Sequence, residues 1–224
     1  MRRAAVKAIR AGKPSSIATH RQHTAQLPVQ AILFQRRHSA GKPQAPQPAK
    51  ARSYASDAGF PQPPPVIAQQ AQMAMSQGLA LLAQGDAPAA SELLARALEL
   101  RPTADAHYNM GVCQLMLKNT DRARAHWLSS IQLDPTQADA FVSLGNVCFM
   151  DQKDSKRAIA YMRKALELAP RDPEIMFNLA TMLESTGELA EAVEMYDRAV
   201  SHGLEKAQPF LRNAIAKRMN PKHK

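Results

Sequence analysis

The chain has 224 residues, with 29 Lys and Arg against 19 Asp and Glu, a net charge of +10 and two cysteines. Such a balance ordinarily points to nucleic acid, but the charge is uneven. Residues 1–56 hold eleven cations and no acid, Asp57 to Leu204 is acidic at net −6, and Glu205 to Lys224 returns to net +5. The body thus lacks the electrostatic footprint of a nucleic-acid binder, and no apolar run is long enough to span a membrane.

In chain order, residues 1–54 read as a mitochondrial targeting presequence. They are rich in Arg, contain Ser and lack acids, a composition suited to being drawn inward by a membrane potential that is negative inside. Arg3, Lys7 and Arg10 share a helical face, and Arg52-Ser53-Tyr54 before Ala55-Ser56 resembles a processing-peptidase site, with Arg37-His38-Ser39-Ala40 a weaker one. The competing reading is a basic arm that stays on the protein and binds RNA or acidic lipid. The expected location is the mitochondrial matrix. Residues 55–65, with Pro61, Pro63, Pro64 and Pro65, form a Pro-rich linker that cannot enter a helix interior.

Beyond the linker the spacing predicts helix pairs. Small residues recur at Gly78, Gly111, Gly145 and Ala180, and an alanine follows each at a nearly constant interval, at Ala90, Ala123, Ala158 and Ala192. Bulky residues come next at Leu94, Trp127, Met162 and Tyr196, and three units close on Pro102, Pro135 and Pro170. A small residue where two helices cross lets their axes approach, and a large neighbour fills the remaining space. Gly85-Asp86 and Gly187-Glu188 mark turns within units, as Lys118-Asn119-Thr120-Asp121 does less sharply.

These columns resemble the tetratricopeptide repeat family, whose unit is about 34 residues. The resemblance implies an all-α fold, a right-handed α-solenoid of about four helix pairs. The domain would span 66–206, with repeats near 71–103, 104–137, 138–172 and 173–206. A capping helix would follow at 207–219 and a basic tail at 220–224. In the cap, Phe210, Leu211, Ala214 and Ile215 form an apolar stripe, with Arg212, Asn213, Lys217 and Arg218 facing away. The extra residue of the third unit falls in the turn Asp151 to Lys156.

The resemblance also implies that first helices line a concave ligand face. Its expected partner-binding residues are Met75, Leu79, Tyr108, Val112, Val142, Asn146 and Phe177, an apolar, Met-containing groove suited to an extended peptide or an amphipathic helix. Leu82, Leu115 and Phe149 fit packing between helices at least as well. Family members that grip the acidic tails of Hsp70 or Hsp90 present cations there. The matching places here hold Met75, Leu79, Asn109, Asp139 and Ser143, or Tyr108, Val112, Ser143, Glu174 and Asn178. With no cation among them, and Asp139 or Glu174 repelling a carboxylate, that clamp is not expected.

Catalytic chemistry finds no motif. His107, His126 and His202 lack carboxylates at metal-ligand spacing, no Gly-rich phosphate loop precedes a helix, and the well-separated Cys113 and Cys148 read as partly buried thiols. Neither cofactor nor metal is expected, and the chain reads as a non-enzymatic interaction module: a scaffold, assembly factor or complex subunit. The alternative is an RNA- or ribosome-associated factor using Lys206, Arg212, Lys217, Arg218, Lys222 and Lys224. Scarce exposed aromatics beside those cations weigh against it.

Overall fold

The computed structural model describes residues 64–150 and 154–219. The expected presequence, most of the expected linker, the start of the Asp151 to Lys156 turn and the basic tail lie outside the described residues. Nine α-helices follow in order: α1 Pro65–Gln84, α2 Ala87–Leu100, α3 Ala104–Met116, α4 Thr120–Leu133, α5 Ala138–Met150, α6 Ser155–Leu168, α7 Pro173–Thr186, α8 Leu189–Ser201 and α9 Gln208–Met219. No strand occurs among the described residues, and the all-α solenoid expected from the sequence is the fold observed.

Each helix starts and stops where its own residues require it. Thr103 Oγ1 accepts from the Ala106 amide at 3.1 Å, Asp86 Oδ1 from Ala89 at 3.1 Å, and Asp172 Oδ1 from Glu174 and Ile175, so α2, α3 and α7 begin on side-chain caps. Gly85 and Gly187 end α1 and α7 with φ of 87° and 86°, where a Cβ would be strained. Lys118 does the same work after α3 at φ 63°, at a cost of about 1 kcal/mol relative to glycine. The second helices end differently. Arg101, Asp134 and Ala169 each precede a proline, which disfavours helical backbone at that residue, and all three leave the helix.

Helices pair in sequence, α1 with α2, α3 with α4, α5 with α6 and α7 with α8, and each pair stacks on the next. Within pairs the small residues lie against the bulky column. A Cβ on Gly78 would meet Leu94 Cγ at 3.0 Å, one on Gly145 the Met162 methyl at 3.1 Å, and one on Gly111 would overlap the Trp127 indole, with Cδ1 at 2.6 Å. Ala90, Ala123, Ala158, Ala180 and Ala192 are fully buried. The core runs the length of the stack in three clusters, the middle one joining Tyr108, Val112 and Trp127 to Ala140, Leu144 and Val147 of the following pair.

Stacking between pairs uses a different face of each first helix. Met110 and Cys113 of α3 join the cluster of α1 and α2, Leu144 and Val147 of α5 join that of α3 and α4, and Leu179 and Met182 of α7 pack with Ile159 and Met162. At the C-terminal end the same face is formed by Ala207, just before α9, with Leu211 and Ala214, one repeat after Ile175, Leu179 and Met182. Only the two alanines are fully buried; Phe210 and Ile215 of the expected stripe stay 42% and 36% exposed. In this register Arg212 stands where earlier first helices carry Gly or Ala, so a second helix could not seat against it. The stack closes there on a polar residue.

Candidate functional site

The expected groove residues come from α1, α3, α5 and α7, and they fall into two groups. Met75, Leu79 and Phe177 are half-buried. Tyr108, Val112, Val142 and Asn146 are buried, with 2 to 5% of their surface exposed. The family resemblance, followed at helical spacing, placed all seven on one accessible face. The difference has a cause in stacking: Leu144 and Val147 close over Tyr108 and Val112, and the α6–α7 cluster takes in Val142. What remains accessible lies one turn later, at half-buried Leu115, Met116 and Phe149 and at Met150, which is 50% exposed. Met150 was missed because it ends its helix and continues no apolar stripe.

Polar groups frame this strip. Asp105, Asp139 and Glu174 occupy corresponding places in the first turns of α3, α5 and α7. The residue that closes the same repeat ties back to two of them: Gln137 Nε2 donates to Asp105 at 3.0 Å, and Lys206 Nζ to Glu174 at 2.7 Å. Lys206 also stands 5.3 Å over the Phe177 ring, whose edge meets Phe210 at 5.0 Å between centroids. Lys217 Nζ reaches Glu184 at 2.6 Å, and the same carboxylate accepts from the Tyr196 hydroxyl at 2.9 Å. Burial, with Glu184 adding to it, pushes the Tyr196 phenol well above its ordinary pKa. The C-terminal segment therefore covers the fourth pair's share of the strip. In the floor, Asn146 Oδ1 and Asn178 Nδ2 are buried and make no hydrogen bond among the described residues.

Among the described residues no three potential metal ligands converge. The nearest approach to a cluster is His107 on α3 and His126 on α4, whose Nδ1 atoms lie 3.1 Å apart. One ring must donate and the other accept, so the contact is lost once both rings are protonated and each Nδ1 carries a proton. Two imidazoles fall short of the three or four protein ligands of a zinc site. Burial lowers the pKa of His107, and burial followed by the nearby His107 charge lowers that of His126. Folding resists protons that the unfolded chain accepts near 6.5, so the pair's contribution is complete above that pH and is lost as pH falls below it. The melting temperature should therefore drop between pH 7.5 and pH 5.5, and by less in His126→Gln. An equal drop in both proteins would assign the acid sensitivity elsewhere.

Cys113 is fully buried, its thiol donating to the Ala87 carbonyl at 3.1 Å, and burial raises its pKa. That environment makes a poor nucleophile. Cys148 is 3% exposed on α5, so both thiols are more deeply buried than spacing suggested. No helix among the described residues is long and apolar enough to cross a membrane.

The family model described as Tetratricopeptide repeat matches residues 75–146 and 149–212, more than half of the chain. The chain belongs to the tetratricopeptide repeat family. Among solved tetratricopeptide-like neighbours, a MamA crystal structure superposes with a TM-score of 0.56 at 23% identity, covering 62% of this chain and 81% of that one. MamA 41-end from Desulfovibrio magneticus RS-1 gives 0.61 at 20% identity, covering 68% and 88%. At such identities the likeness shows the fold alone.

Two curated relatives match in part. The probable biofilm formation methyltransferase WspC of Pseudomonas putida is 31% identical over 86 residues, 38% of this chain and 20% of that protein. The protein O-mannosyl-transferase TMTC3 of Homo sapiens is 26% identical over 115 residues, 50% of this chain and 12% of that protein. The chain thus spans a fifth or less of the length of these relatives.

Proposed function

We propose that this tetratricopeptide protein is a non-enzymatic scaffold, assembly factor or complex subunit of the mitochondrial matrix that holds a partner's peptide or amphipathic helix along its first helices. The observation that carries the binding site is the run of accessible apolar side chains at one level of successive first helices, Leu115 and Met116 on α3 and Phe149 and Met150 on α5. Flexible thioethers beside an aromatic ring adapt to irregular apolar partners. Family membership supports a protein partner. The eleven cations and absent acids of residues 1–56 support import. An RNA role for the basic end is the weaker reading, because Lys206 and Lys217 already pair with Glu174 and Glu184.

The test is recovery of the tagged full-length protein from fractionated mitochondria with its partner identified. The complex should come from the matrix, and Phe149→Glu or Met150→Glu should release the partner at least tenfold more readily, the second of them, at an exposed side chain, without lowering the melting temperature. Recovery outside mitochondria would overturn the location. A complex indifferent to both changes, but lost with salt and with Lys217→Ala and Arg218→Ala, would replace the groove by RNA at the basic end.

A further inference from the structure

The outward face of α1 is where the molecule departs from its own pattern. Met73, Gln77 and Ala80 correspond, one repeat earlier, to Ala106, Met110 and Cys113, the face by which α3 stacks on the preceding pair. In α3, α5 and α7 that face is buried. In α1 all three residues are exposed, Met73 by 56%, and no described residue packs on them. A stacking face is therefore present at the start of the solenoid without an occupant among the described residues.

Its chemistry is unlike that of any other exposed face. α1 alone among the nine described helices carries no Asp, Glu, Lys, Arg or His in its 20 residues. The exposed stripe Val66, Gln70, Met73, Gln77, Ala80 and Gln84 advances by alternate steps of four and three. That is the spacing of a helix–helix seam, with glutamine at one heptad position and Val, Met and Ala at the other. It runs the length of the helix, about 30 Å at 1.5 Å per residue. Charge depletion with methionine present is the composition of an interface core rather than of a solvated surface.

We propose that α1 is a self-association surface, and that a second copy of this chain occupies it through the same helix across a twofold axis. Two observations select a second copy. Each of the other eight described α-helices carries Asp, Glu, Lys or Arg, so the α1 stripe is where two copies can meet without taking charge out of water. Each glutamine amide is both donor and acceptor, so the stripe complements itself, as a twofold contact requires. The opposite end cannot do this, since α9 exposes Arg212, Lys217 and Arg218. The surface is separate from the groove, and the inference does not depend on the proposed function.

Sedimentation of the full-length chain over a concentration series tests it. The weight-average mass should rise toward that of two chains, and Gln77→Glu, which sets like charges against each other across the axis, should hold it at one. Met73→Lys should do the same, and because both sites are exposed the melting temperature of the dilute monomer should not fall. A wild-type chain that stays monomeric throughout the series overturns the proposal. So does a dimer that survives both substitutions, or one that is lost only when residues 1–63 are removed, which would place the contact upstream of α1.

Discussion

Trp127→Ala should cost about 4 kcal/mol and lower the melting midpoint by roughly 10 °C. The indole is fully buried, and its N–H donates to the Tyr108 carbonyl at 3.2 Å. It belongs to the cluster through which α3 and α4 meet α5. Truncation removes a large apolar surface and leaves a void that helices on both sides must collapse into, at a typical cost of about 3 to 5 kcal/mol. Because stability in a stacked array is set by neighbour contacts, the loss should be felt in both adjoining pairs. Hydrogen exchange should show lost protection in α3 to α6 before α7 and α8. A penalty below about 1.5 kcal/mol would mean that the indole is not the plug between these pairs.

Gly111→Ala is the complementary experiment, adding one methyl where the first removes a whole indole. Alanine favours helix by about 1 kcal/mol over glycine, so the substitution would stabilise an unencumbered helix. Here the new Cβ would overlap three indole atoms of Trp127, the farthest of them at 2.8 Å, and the buried ring has no room to yield. Overpacking and loss of the indole hydrogen bond together should outweigh propensity, for a net loss of about 3 kcal/mol. Gly78→Ala and Gly145→Ala meet flexible Leu94 and Met162 at 3.0 and 3.1 Å and should lose far less. Denaturant melts of the three variants give the ranking. Adding Trp127→Leu to Gly111→Ala should recover part of the loss, since the residues share one contact. Equal effects at all three glycines would refute the steric account.

How much of this was legible in the sequence depends on the distance over which each feature acts. The pairing of helices could be read because its causes are local and periodic: Gly78, Gly111 and Gly145 before Leu94, Trp127 and Met162, and a proline after each of three second helices. Turn chemistry was equally open at Gly85 and Gly187, and fainter at Lys118, where a side chain tolerates the backbone that glycine favours elsewhere. The accessible part of the groove was less legible. Tyr108 and Val112 have the spacing of exposed residues, yet Leu144 and Val147 of the next repeat cover them. The same holds for His107 with His126, and for Lys206 and Lys217 with Glu174 and Glu184, pairs that no short motif records. Helical spacing says which way a side chain points, and stacking decides whether anything can reach it.

The ties within and between neighbouring pairs also constrain how the molecule is made. Cys113 to Ala87 and Lys217 to Glu184 join neighbouring elements, Ser130 to Ala104, Gln137 to Asp105 and Lys206 to Glu174 act within one repeat, and none of them reaches back farther than about one repeat. Among the described residues no strand from the far end must return to complete a sheet, and closing loops of this size costs little time beside the seconds per unit of synthesis. Folding can therefore be vectorial, each pair docking on the one already finished as the chain emerges. Until α9 is released, the growing end presents an uncapped pair, and docking of α9 is what switches off further stacking.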